Sequence, residues 1–312
     1  MFGGWINDAY SWRSAFGVQV PFLLVASILI ARFIRIPMAE EHKNRSLWQK
    51  LKRIDFLGSA LLITGIGGLL FSVTALGNPV GLGGAMPSIA DKQVWIPGVV
   101  SLVSIVAFVM VEAYLVAEPV LPVRLLKIRT PACISAVYFI TSCSYYSLYF
   151  WYPLYFQAVR GYSASAAGLR IVPLAVASAV GSLGAGLFMK ATGKYWWLQT
   201  IGAFLPIFFM GQLAFWTPTY PGKVGEYLSI VPAGLGLSAI YTTLLVALMA
   251  AVSRAEFGIA NGMIYLFRTL GQVIGVGATG AAMQVVLARL LRQRITGPGA
   301  DKIISDIQHS IA

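Results

Sequence analysis

Charge is scarce in this 312-residue chain: Asp, Glu, Lys and Arg together make up 11% of it, where soluble domains carry about 25%. With 58% of residues hydrophobic and a mean hydropathy of +0.76, there is too little polar surface to coat a water-soluble globule. Acids are scarcer than bases, 11 against 23, for a formal net charge of +12. That balance points to nucleic acid when the bases share one face of a folded domain; here they sit in short connections between apolar runs, so no nucleic-acid partner is expected. The only two histidines, His42 and His309, fall in a loop and in the tail, which excludes a histidine metal cluster or a buried acid–base pair built from them. The only two cysteines, Cys133 and Cys143, fall in one expected helix about 15 Å apart along its axis. They are too distant to bridge each other, so they say nothing about a disulfide framework and leave the redox compartment open. The N-terminus has no basic region followed by an apolar run, and no cleavable signal peptide is expected.

What the chain has in abundance is grease in long pieces. Eight apolar stretches run near 15–34, 56–76, 94–116, 132–157, 166–189, 196–217, 227–252 and 259–287. A helix rises about 1.5 Å per residue and the hydrocarbon core is about 30 Å thick, so about twenty apolar residues make one crossing. Backbone groups find no water there, and continuous apolar runs lack the alternation of barrel strands, so the crossings must be helices. The fold class is an all-α membrane protein with about eight transmembrane helices. Kinks are expected where proline lies inside a span, at Pro153, Pro173, Pro206 and Pro232. The tail over 301–312 carries Ile303, Ile304, Ile307 and Ile311 at helical spacing behind Asp301, as a short amphipathic helix on a surface.

Orientation follows from the bases. With the 35–53 connection in the cytoplasm, that face collects Arg32, Arg35, Lys43, Arg45, Lys50, Lys52, Arg53, Arg124, Lys127, Arg129, Lys190, Lys194 and Arg254. The opposite face collects Arg13, Lys92, Arg160, Arg170 and Lys223, and against the trend Arg289, Arg292, Arg294 and Lys302. The Asn44-Arg45-Ser46 glycosylation acceptor then lies on the cytoplasmic side and is unused.

The strings "GGWIND", "WRSAF" and "QVPF" near the start are followed by "DFLGSALL" from Asp55 and "EPVLPVRLLKIRT" from Glu118. "YFQAVRGYSASAAGLRIVPLA" from Tyr155 and "YLFRTLGQVIGV" from Tyr265 complete the order. Taken together they resemble the fourteen-helix drug:proton antiporter branch of the major facilitator superfamily. "VQVPF" and "YLFRTLGQVIGV" are most similar to the fungal vacuolar basic amino-acid transporters. The resemblance implies a partial major facilitator fold holding helices six to thirteen. Residues 1–53 would be the last helix of the N-terminal half with a cytoplasmic loop, 54–117 two inserted helices, and 118–312 the C-terminal half without its last helix. Facilitators work by rocking two halves around a midplane site, so the chain read as a fragment is expected to be inactive alone.

The resemblance also implies that the fourth and seventh spans line the central cavity. The fourth carries Tyr138, Thr141, Tyr145, Tyr149 and Tyr152 at spacings of three and four, on one helical face. Hydroxyls facing lipid go unsatisfied, so this face is expected inward, where its rings suit a cationic substrate; an aromatic packing stripe is the alternative. Tyr241, Thr242 and Thr243 offer the same in the seventh span. Arg268 lies deep in the eighth span and needs a helix carbonyl, a wet cavity or an acid as partner. Gly271 and Gly275 there, like Ala177, Gly181 and Ala185 in the fifth span, mark close-approach faces. Asp55 and Glu112 are the acids nearest membrane depth, at helix ends without expected burial, and Asp55 reads as a helix cap.

The function expected from these features is proton-coupled secondary transport of small cationic solutes, with basic amino acids entering the vacuole favoured. A plasma-membrane multidrug exporter and a non-transporting truncated product are the alternatives. A membrane enzyme is not expected, because no catalytic pair or metal set lies at membrane depth. The energy source is a proton gradient, with no cofactor, and the partners are the lipid bilayer and the solute, with no obligate protein partner.

Overall fold

A computed structural model of the chain describes residues 2–33, 55–77, 91–116, 121–213, 215–216, 222–254, 256–295 and 303. All regular structure among these residues is helical. In chain order the helices are α1 Phe2–Ala9, α2 Trp12–Gly17, α3 Gln19–Phe33, α4 Phe56–Gly77, α5 Lys92–Tyr114, α6 Val123–Leu126 and α7 Arg129–Ala158. They continue as α8 Ala164–Leu169, α9 Val172–Thr192, α10 Trp196–Leu213, α11 Lys223–Leu228, α12 Val231–Ala251 and α13 Phe257–Arg294. The expected Asn44 acceptor, His42, His309 and, apart from Ile303, the amphipathic tail lie outside the described residues.

Among the described residues each of the eight apolar stretches is mainly helical, and six segments are long and apolar enough to cross a membrane: Arg13–Phe33, Phe56–Leu76, Lys92–Tyr114, Ala164–Thr192, Lys223–Ala251 and Phe257–Arg294. The other two, α7 and α10, are 30 and 18 residues long. Tyrosines and serines dilute the apolar character of α7, and tryptophans and glutamines that of α10. The last helix is longer than the eighth stretch implies: α13 runs 38 residues without a break, about 57 Å at the standard rise.

Two of the expected proline kinks are helix starts instead. Pro173 stands in the first turn of α9 and Pro232 in that of α12, where the missing N–H costs no helical bond. Each follows a two-residue turn, Arg170–Ile171 or Ser229–Ile230, so the fifth and seventh stretches are each divided into a short helix and a long one. Pro153 and Pro206 do lie inside α7 and α10.

By packing, the chain forms two compact units, residues 1–52 with 149–246, and 53–148 with 247–312. In the first, α9 meets α12 backbone to backbone: a Cβ on Gly234 would stand 2.7 Å from the Leu174 carbonyl oxygen, and one on Gly181 2.9 Å from Leu235 Cα. The Ser182 and Thr242 hydroxyls share a hydrogen bond of 2.9 Å across the same seam. A Cβ on Gly202 of α10 would stand 3.0 Å from the Gly236 carbonyl oxygen of α12. Small residues perform here what hydrophobic force cannot do between helices in lipid. By contrast, every side chain of α3 is exposed, which is costly in water and ordinary against acyl chains.

In the second unit α4 packs on α5 and on α13. Ser101 donates to the Gly65 carbonyl at 2.6 Å and Ser72 to the Val94 carbonyl at 2.7 Å, so the hydroxyls of this apolar pair are satisfied by backbone. Asp55 caps α4 as expected, its Oδ1 accepting the Gly58 N–H at 2.7 Å. The expectation that Asp55 and Glu112 lack burial is corrected: they are 7% and 4% exposed. Each folds back on its own chain to accept a backbone N–H, Glu112 that of Leu121 at 3.2 Å, and is covered in doing so.

Candidate transport site

In the first unit, the end of α7, the segment after it, α8 and α11 gather around one carboxylate. Helix α7 ends in a reversal in which Gly161 takes φ +66° and the Tyr162 N–H reaches back to the Phe156 carbonyl at 3.0 Å. Glycine adopts that left-handed geometry without a Cβ clash, and the bond from Tyr162 back to Phe156 closes the helix end. Ser163 then opens α8, its hydroxyl accepting the Ala166 N–H, while Asp8 of α1 accepts the Ser165 N–H at 2.9 Å. Arg170 follows as the C-cap of α8.

Glu226 of α11 is the centre. Its Oε2 accepts Nε of Arg170 at 2.7 Å, and its Oε1 lies 3.9 Å from Nη2 of Arg160 and within 3.5 Å of the Tyr162 hydroxyl. Tyr152 donates to the Glu226 backbone carbonyl at 2.7 Å. The Glu226 side chain is 2% exposed, those of Arg170 and Arg160 8% and 14%. Taking such ions out of water is expensive, and only close pairing with further hydrogen bonds offsets it. Three rings add to the pairing: the Arg170 guanidinium lies 3.9 Å from the centre of Tyr162, 5.1 Å from Phe156 and 5.2 Å from Tyr227. Phe156 also stands against Tyr152, Tyr155 and Trp216 with ring centres 5.1 to 5.9 Å apart.

The expected site residues divide between the units. Of the tyrosine face on α7, Tyr152 belongs to the first unit and is buried against this cluster, and Tyr149 is 48% exposed. Thr242 bonds Ser182, and Tyr241 beside it is half-buried. In the second unit Tyr138 is buried, whereas Thr141 and Tyr145 are half-buried; Thr141 bonds its own helix at the Val137 carbonyl, 2.6 Å away. Thr243, in the first unit, is fully buried and bonds the Ile240 carbonyl.

Arg268 finds a partner that the tyrosine face did not include. Its Nη2 donates to the Tyr146 hydroxyl at 2.8 Å, with the rings of Tyr146 and Tyr265 5.9 and 5.7 Å from the guanidinium. A phenol hydroxyl and two ring faces contact this cation in a half-buried place. One and two turns along, Gly271 and Gly275 press α13 onto α7: a Cβ on either would land on the Phe139 or Cys143 carbonyl oxygen. Sequence reading missed Glu226, Tyr146 and the pairing role of Arg160 and Arg170. The signal for Glu226 was a lone acid one residue before the seventh apolar stretch, within reach of a span boundary uncertain by several residues.

At one end of the second unit, a cleft of about 790 Å³ is lined by Glu112, Tyr114, Arg124, Lys127 and Glu256 among others. Arg124 pairs with Glu256, which also accepts the Ser253 hydroxyl at 2.8 Å. That hydroxyl first, and the Arg124 guanidinium after it, hold the Glu256 carboxyl below its ordinary value against the opposing effect of desolvation. A carboxyl lowered in this way contributes stability that is complete above its unfolded pKa and is lost as pH falls through the lower folded one. Protection of the Glu256 and Phe257 amides, which bond the Ser253 carbonyl, is therefore expected to hold at neutral pH and to fall below the ordinary carboxylate range. In Ser253→Ala the fall comes at higher pH; hydrogen exchange, corrected for intrinsic rates, measures both.

The sequence pattern of the Major Facilitator Superfamily matches residues 1–276. This chain belongs to the major facilitator superfamily. As a facilitator it is a multi-pass membrane protein of a transporter family, not an enzyme family. It is 32% identical to the multidrug resistance protein fnx1 of Schizosaccharomyces pombe over 99% of its length and 57% of that protein. It is 31% identical to the vacuolar membrane amino acid uptake transporter fnx2 of the same yeast, over 94% of the chain and 49% of the relative. It is 29% identical to the vacuolar basic amino acid transporter 2 of Saccharomyces cerevisiae, over 95% and 62%. The facilitator chain thus spans about half to three-fifths of the length of these curated relatives.

Proposed function

We propose that the whole protein bearing these residues is a secondary transporter that imports basic amino acids into the vacuole in exchange for protons. The observation that carries this reading is similarity, along nearly the whole chain, to two relatives whose names state vacuolar amino-acid transport. On this reading residues 1–53, 54–117 and 118–312 belong to the N-terminal half, the inserted helix pair and the C-terminal half. Tyr138, Thr141, Tyr145, Tyr149, Tyr152, Tyr241 and Thr242 line the solute path, where phenol rings offer cation–π contacts of about 0.5–2 kcal/mol each. Arg268, whose Nη2 donates to the Tyr146 hydroxyl, takes part in coupling at the interface during the cycle. Gly271 and Gly275 supply the close seam on which α13 moves.

A second reading, multidrug export across the plasma membrane, is supported by the similarity to fnx1. Uptake of labelled arginine and lysine into vacuolar vesicles carrying the whole protein separates them. Saturable uptake that stops when an ionophore collapses the proton gradient is the expected result. No uptake, together with lowered retention of labelled drugs in intact cells, replaces it with the export reading.

A further inference from the structure

The buried Glu226 carboxylate is approached by two arginines. Two guanidiniums face one buried carboxylate, so Glu226 keeps a counter-charge, Arg160 at 3.9 Å, when Arg170 is withdrawn. Arg170 is also the cation with the more elaborate seat. One edge of its guanidinium meets the carboxylate, and the rings of Tyr162, Phe156 and Tyr227 surround it at 3.9, 5.1 and 5.2 Å. A carboxylate at the end of an aromatic enclosure is the recognition chemistry of a guanidinium or ammonium group, whether it arrives on a tether or in solution. The tether is placed at a break: Arg170 is the first residue of the two-residue turn dividing α8 from α9, and its Nη1 also donates to the Ala166 carbonyl at 2.8 Å, a bond that opens when the side chain withdraws.

We propose that Glu226, Phe156, Tyr162 and Tyr227 form a cation-binding subsite that Arg170 fills from its own chain in this structure, and that the guanidinium or ammonium group of a solute takes it by displacing Arg170. The inference rests on the basic amino-acid reading for the identity of that solute, and on the cluster alone for the existence of the subsite. Arg170 then acts as a built-in competitor: it keeps the carboxylate compensated while no solute is present and sets a threshold that an incoming cation must exceed. A neutral or anionic solute has no means of displacing it.

The test is binding of guanidinium ion, as guanidinium chloride at millimolar concentration against sodium chloride at equal ionic strength, to the 312-residue chain in lipid nanodiscs. Thermal unfolding is the readout, since a ligand of the folded state alone raises its Tm. Arg170→Ala empties the seat and is expected to bind guanidinium at least about tenfold more tightly than the unsubstituted chain, one charge-assisted hydrogen bond having been removed from the competitor. Arg170→Ala/Glu226→Gln is expected to lose that gain. Arg170→Gln, which fills more of the space, serves in the same assay should the alanine variant fail to fold. A folded Arg170 variant without guanidinium-specific stabilisation, or with the same stabilisation when Glu226→Gln is added, overturns the subsite. Arginine uptake by the whole protein decides the transport reading separately, so the two ideas fail by different measurements.

Discussion

Replacing Glu226 with alanine is expected to lower the stability of the chain by about 3–5 kcal/mol, the usual cost of removing one member of a buried ion pair and leaving the other uncompensated. Here the loss removes the carboxylate that pairs with Arg170, 8% exposed, and that faces Arg160, 14% exposed. It also removes the acceptor of the 2.7 Å bond from Arg170 Nε. The informative comparison is with Arg170→Ala. That change leaves Glu226 facing Arg160 at 3.9 Å and within reach of the Tyr162 hydroxyl, so its cost is expected to be clearly smaller. Denaturation in mixed micelles, following the tryptophan signal, measures both. Equal losses would mean that Arg160 gives Glu226 no effective compensation, and the cluster would then be a simple pair with a bystander.

The second large effect is a reversal of sign within one helix. Gly271→Ala and Gly275→Ala each place a methyl on a carbonyl oxygen of α7, at Phe139 and Cys143. Those obstacles are backbone, which cannot rotate away, so the helices must separate; about 1–3 kcal/mol of destabilisation is expected from each. Gly262 lies in the same helix with nothing within 4 Å of its would-be Cβ. There the same substitution removes glycine's conformational freedom at no steric cost and is expected to stabilise by about 1 kcal/mol. Unfolding midpoints of the three single variants decide the matter. A common sign would show that the small residues of α13 are set by composition and not by the seam with α7.

Helical membrane architecture was legible because it rests on run length, and run length survives errors of several residues at each end. Asp55 as a cap was legible for a similar reason: a carboxylate just before an apolar helix has one local acceptor role available, and the 2.7 Å bond from Gly58 fills it. Pairings between distant segments were not. Arg160, Tyr162 and Arg170 all sit in the string from Tyr155 that served only as a mark of resemblance, since nothing in a single sequence says that Glu226, 56 positions beyond Arg170, completes them. Tyr146 escaped because it is one position beside Tyr145, on a neighbouring strip of the same helix. Division of the fifth and seventh stretches at Pro173 and Pro232 was read as bending, because a proline within an apolar run gives the same local signal for a kink as for a fresh start.

The uninterrupted length of α13 has a mechanical corollary. From the seam at Gly271 and Gly275 to its last residue, Arg294, the helix extends about 30 Å. If that seam serves as a fulcrum, a rotation of about ten degrees sweeps the arginine-bearing tip through about 5 Å, so a small adjustment where two backbones touch becomes a displacement the width of a side chain at the far end.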